Sequence, residues 1–175
     1  MNHHYGKLGD AWKHLPLAEI LRVRPPRQYW ETHAGSAWYP LTESGPRRHG
    51  VLGFLERAPG DSILGESAYL GVLLGSLGKY PGSAALAQRI LGVGVGYALC
   101  DVDPASQASL REAFSGVDAR VVETDGVEAI GQEAEKWPGD PGDVLIHVDP
   151  FDPYERVRPD CRSPIELAGW LDTNG

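Results

Sequence analysis

Residues 97–150 read YALCDVDPASQASLREAFSGVDARVVETDGVEAIGQEAEKWPGDPGDVLIHVDP, and the alternation along this stretch decides the fold. Tyr97 to Cys100 is a run of buried-strand type closed by Asp101. Pro104 to Phe114 has helical character, and Arg120 to Glu123 is again strand-like, closed by Thr124-Asp125-Gly126. Val127 to Trp137 predicts a helix. Val144 to Val148 predicts an apolar strand, broken only by His147 and closed by Asp149-Pro150. Strands alternating with helices build a parallel sheet with right-handed crossovers. The expected class is α/β, with residues 1–175 forming a single domain.

Upstream, Gln28 to Thr32 predicts a strand leading into the small-residue turn His33-Ala34-Gly35-Ser36, which is how nucleotide-binding α/β folds open. Before it, Asp10 is placed as the cap of a short turn. Pro16 then starts a helix to about Val23, with Leu17, Ile20 and Leu21 on one face, ended by Pro25-Pro26. Residues 42–77 have a Gly-rich helical pattern and are expected to form an insertion of about two helices. Ser83, after Pro81-Gly82, is placed as the N-cap of a helix over Ala84 to Leu91. The glycines of Gly92-Val93-Gly94-Val95-Gly96 precede a strand instead of following one, so they read as a flexible lead-in and not as a phosphate loop.

Composition bounds the chemistry. Hydrophobic residues make up 42% and charged residues 23% of 175, as in ordinary globular domains. No apolar run approaches the roughly 18 residues of a membrane span, and no signal segment opens the chain, so a cytoplasmic protein is expected. Cys100 and Cys161 are too few for a disulfide framework or zinc site, His3-His4 reads as an exposed terminal pair, and no metal is expected. The net charge of −8 argues against an obvious nucleic-acid binder. The arginines nevertheless cluster as Arg22, Arg24 and Arg27, as Arg47 and Arg48 beside His49, and as Arg156, Arg158 and Arg162. They read either as scattered solvated residues or as a basic rim.

Three predicted strands end in an acid: Asp101, Asp125 and Asp149. In a parallel sheet the strand C-termini share one edge, where ligands bind, although Asp after a strand is also a common helix cap. An acid closing the second strand can accept both hydroxyls of a ribose. Asp149-Pro150-Phe151 is similar to the Asp/Asn-Pro-Pro-aromatic signature of amino-methyltransferases. A carboxylate or amide oxygen with a backbone carbonyl can accept the two hydrogens of an exocyclic amine and restore its nucleophilicity, while the aromatic ring stacks on the base. An Asp-Pro turn with no such role is the plain alternative.

Several short motifs in order resemble the RlmJ family of ribosomal RNA adenine-N6 methyltransferases, over His3 to Glu155. They are Lys13-His14, Thr32-His33-Ala34-Gly35, Tyr80-Pro81-Gly82-Ser83, Asp101, Asp125-Gly126 and the Asp149 motif. The resemblance implies a Rossmann-like class I methyltransferase fold with a helical insertion, and S-adenosylmethionine as cofactor. It implies cofactor contacts at His14, His33, Ser83, Asp101, Asp125, Gly126 and Asp149. Asp149, Pro150 and Phe151 would be catalytic, and RNA the partner. Without it, His14 reads as a half-buried helix residue, His33 as a turn residue and Ser83 as a cap.

The chain departs from the pattern in three places. The family's Asp-Pro-Pro-Tyr-Glu is replaced by Asp149-Pro150-Phe151-Asp152-Pro153-Tyr154-Glu155, so either Asp149 or Asp152 heads the working motif. The first turn has fewer glycines. After the catalytic motif only Ser163 to Leu171 reads as structured, a helix, so the C-terminal strands are expected to be lacking, through truncation or completion by a partner chain. The rival functions are a small-molecule amine methyltransferase and a catalytically silent cofactor-binding module.

Overall fold

The computed structural model describes residues 5–76 and 78–174. His3 and His4, and Leu77 at the expected end of the insertion, lie outside the described residues. The chain forms two compact units, one of residues 1–25 and 36–92 and the other of residues 26–35 and 93–175.

The second unit holds the sheet. Strands β1 (Gln28–Glu31), β4 (Gly96–Cys100), β5 (Ala119–Val122) and β6 (Val144–His147) pair in the order β5-β4-β1-β6, parallel at every step. The class is mixed α/β with a parallel sheet, as the alternation predicts. Helices α6 (Pro104–Ala113), α7 (Gly126–Lys136) and α8 (Pro164–Asn174) complete the unit. On one face Trp30, Ala98, Cys100 and Ile130 form a core with Val122, Ala129, Trp137, Val144 and Ile146 around it. On the other, the Tyr97 ring lies between those of Tyr29 and Phe114, at centroid distances of 6.2 and 5.2 Å. The period-2 alternation of a strand sends Tyr29 and Trp30 to opposite faces. Among the described residues no strand follows β6.

The first unit is mostly helical: α1 (Leu8–Val23), α2 (Gly45–Arg48), α3 (Val51–Arg57), α4 (Ala68–Leu74) and α5 (Ser83–Leu91). Several local expectations change here. Helix α1 runs unbroken from Leu8, so Asp10 does not cap it. Asp10 sits at the third helical position, where its Oδ2 accepts the Lys7 N–H at 3.1 Å. Pro16 is interior to the helix on its exposed side, where the carbonyl that loses its donor can bond water instead. Leu17 and Leu21 are buried, whereas Ile20 is half exposed, so the three do not share one inward face.

Ser83 is the first helical residue of α5, and Gly82 is its N-cap. A side chain at Gly82 would collide with the Ser36 carbonyl, which explains the glycine. A short antiparallel pair, β2 (Trp38–Pro40) with β3 (Lys79–Pro81), brackets the helical stretch and was not expected from sequence. Within residues 42–76 there are three short α-helices, where about two were expected. Among the described residues no helix is long and apolar enough to cross a membrane.

Candidate functional site

Strand β1 lies between β4 and β6, so the chain order reverses beside it. The C-terminal ends flanking such a reversal are where open α/β sheets bind ligands. His33, Asp101, Asp125, Gly126 and Asp149 all follow strand ends of this unit.

The turn after β1 is tied across to β4. The Ala34 N–H donates to the Cys100 carbonyl at 2.9 Å, and the Gly35 N–H donates to Asp101 Oδ2 at 2.8 Å. Gly35 has φ of +60°, a left-handed conformation that glycine adopts without a steric penalty. Asp101 Oδ1 accepts the Asp103 N–H at 2.8 Å, and its carbonyl accepts Gln107 Nε2 at 2.9 Å. Its carboxylate is therefore held from two sides in one orientation.

Asp125 is the N-cap of α7, with Oδ1 accepting the Glu128 N–H at 3.1 Å. The structural reading of Asp125 is thus realised, whatever else it binds. A side chain at Gly126 would penetrate the Thr32 backbone, so only glycine lets α7 start this close to the end of β1. Asp149 is half-buried, and Pro150 with it. Phe151 is 97% exposed. Asp152 is exposed, and its Oδ1 accepts the Tyr154 N–H at 2.8 Å in a local turn.

The His33 Nδ1 is 2.8 Å from the Thr32 hydroxyl. Burial lowers the His33 pKa from its ordinary 6.5, against the opposing pull of Asp125, Asp101, Asp149 and Glu31. The imidazole is therefore mainly neutral at pH 7, among acids close enough to act on it. A neighbouring network has only faint traces in the sequence. Glu31, fully buried, holds His147 Nδ1 at 2.8 Å and the Tyr29 hydroxyl at 3.1 Å. The available signals were a glutamate closing a strand-like run and the histidine that interrupts the apolar run Val144 to Val148.

His14 and Ser83 belong to the first unit. His14 is 5% exposed, with Nδ1 at 2.8 Å from the Tyr80 hydroxyl and its ring stacked on Tyr80 at 5.8 Å. Ser83 is buried at the start of α5.

The arginine clusters are engaged. Arg22 pairs with Glu19, Arg27 with Asp143 and Arg48 with Glu43. Arg156, Arg158 and Arg162 pair with Glu166, Glu128 and Glu135 and tie the loop after β6 to α7 and α8. Arg47 lies over the Tyr5 ring at 4.1 Å and bonds the Thr42 hydroxyl at 2.6 Å. Among the described residues no group of three or more His, Cys, Asp or Glu is arranged to hold a metal ion.

No family model and no curated protein matches the chain. Among solved structures it is similar to protein LPL1258 of Legionella pneumophila strain Philadelphia 1, whose description carries the family label DUF519. The TM-score is 0.69 at 26% identity, over 87% of this chain. The chain spans 59% of the length of that protein.

Proposed function

We propose that this chain is an S-adenosylmethionine-dependent methyltransferase acting on an amine, with adenine N6 in RNA as the substrate that the resemblance implies. The observation that carries the reading is Asp101. Each carboxylate oxygen has one backbone donor, from Gly35 and Asp103, and each keeps a lone pair for a ribose hydroxyl. A second observation supports the reading: the turn at Gly35, with φ of +60°, carries the N–H that holds Asp101 Oδ2.

When bound, S-adenosylmethionine supplies an electrophilic methyl group. Asp101 binds the ribose, with His33, Asp125 and Gly126 along the same edge. Asp149 accepts a hydrogen bond from the amine, and a backbone carbonyl of the Asp149-Pro150 segment accepts the other. Together they hold the nitrogen lone pair in line. Phe151, fully solvated, is free to stack on a flat base.

One observation favours a small-molecule amine over RNA: most of the clustered arginines already have acidic or aromatic partners. The deciding experiment is calorimetry with S-adenosylmethionine, followed by single-turnover transfer of labelled methyl to an adenine-containing RNA and to a panel of small amines. Cofactor binding with transfer to the RNA is expected. Binding with transfer only to small amines selects the second reading, binding without any transfer a silent module, and absence of binding removes the proposal.

A further inference from the structure

We propose that the buried Glu31–His147 pair is a positioning device that fixes the direction of Asp149. Glu31 ends β1 with its side chain wholly out of solvent, and a carboxylate is costly to bury unless it is paired. Its two oxygens have different partners. Oε1 takes the His147 ring Nδ1 at 2.8 Å and Oε2 takes the Tyr29 hydroxyl at 3.1 Å. The backbone of His147 is tied as well, since its carbonyl accepts the Thr32 N–H at 3.1 Å. Side chain and main chain of one residue are thereby fastened to β1 at the chain-order reversal.

Asp149 is two residues further on. Burial first, then Glu31, and after it Asp149 push the Tyr29 hydroxyl well above its usual range, so the Asp149 charge is within electrostatic reach of the network. Thr32, bonded through its hydroxyl to His33 Nδ1, links the histidine that faces the acids to the same knot. An apolar pair would fill this space with less desolvation. Hydrogen bonds add direction, which dispersion does not, and a segment delivering an amine acceptor needs direction.

The role given to the pair rests on the reading of Asp149 as the amine acceptor, and the test separates the two. Glu31→Gln keeps both bonds, because its amide oxygen accepts from His147 and its NH2 donates to Tyr29. The combined variant Tyr29→Phe, Glu31→Leu, His147→Leu replaces the network with apolar side chains. Four readouts are compared: melting temperature, S-adenosylmethionine affinity, single-turnover methyl transfer, and the carboxyl carbon-13 resonance of Asp149, assigned by its loss in Asp149→Asn.

Glu31→Gln should behave like the parent. The apolar variant should keep melting temperature and cofactor affinity, lose about tenfold to a hundredfold in transfer rate, and show a broadened or split Asp149 resonance. An apolar variant as fast as the parent, with an unmoved resonance, overturns the proposal. If the parent transfers no methyl group, the catalytic reading of Asp149 falls and the resonance alone decides: split supports positioning, unmoved overturns it. If the apolar variant does not fold, His147→Phe is read in the same way.

Discussion

Asp101 serves its own turn through Gly35 and Asp103, so its replacement should have two separable effects. On the proposed reading, Asp101→Ala removes charged acceptors from two ribose hydroxyls, each bond worth about 1.5–3 kcal/mol. The expected loss of S-adenosylmethionine affinity in calorimetry is about 100-fold or more. It also orphans two backbone N–H groups, so denaturant unfolding should show a loss of about 1–3 kcal/mol. Lower stability with unchanged cofactor affinity would leave Asp101 a turn residue only. At the motif, Asp149 is half-buried two residues after an apolar strand, whereas Asp152 is exposed further along the loop. Asp149→Ala should abolish single-turnover transfer and Asp152→Ala should only reduce it; the reverse ranking would move the role to Asp152. His33 supplies a pH prediction. Its folded pKa is depressed by burial, so the unfolded chain binds its proton at higher pH than the folded one. The stability it contributes is complete above pH 6.5 and is lost as pH falls from there through the folded pKa. His33→Gln should therefore flatten the stability profile below that pH in urea titrations, and an unchanged slope would count against a buried neutral imidazole.

Among the elements, legibility followed the range of the interactions. The strands and helices of residues 97–150 could be read because each announces itself locally, by an apolar run or by a cap such as Asp103 before Pro104. Strands β2 and β3 could not. Each has three residues and a terminal proline, and the ladder joins Tyr39 to Tyr80 across the whole helical segment. The same holds for the site: the acids at strand ends were visible as a repeat, but the bond from Glu31 to His147 links residues 116 positions apart. The basic stretch Arg47-Arg48 read either as solvated residues or as part of a basic rim. Its partners were not legible: Arg47 lies over the Tyr5 ring and bonds Thr42, while Arg48 pairs with Glu43. Cation–π contacts are worth about 0.5–2 kcal/mol, and a solvated ion pair about 0–1 kcal/mol. Replacing both arginines with Ala should thus lower the melting temperature of the first unit while leaving RNA affinity within about twofold, since few phosphate contacts would be lost. A large loss of RNA affinity with unchanged melting would restore the binding role.

At the scale of the whole molecule, charge sets the problem that any RNA substrate has to solve. The chain carries −8, and its arginine clusters are largely neutralised by acids of the same chain. Non-specific attraction to a phosphate backbone is therefore weak, and a short RNA would be held mainly by its flat bases and exocyclic amines. Phe151 and Asp149 are suited to those groups. Single strands nevertheless release counterions, with a slope of about −0.7 per neutralised phosphate on the logarithmic salt plot. If about three phosphates are neutralised, the slope is about −2, and raising salt from about 50 to 200 mM costs about 20-fold in affinity. That modest slope is the expected result for an adenine-containing oligonucleotide, measured by anisotropy at several salt concentrations with saturating cofactor. A slope near zero, with transfer to a small amine equally indifferent to salt, would mean that no phosphate is engaged and the substrate is a small molecule. A slope several times steeper would require lysines or arginines free of their present partners, contrary to the ion pairs that tie the loop after β6 to α7 and α8.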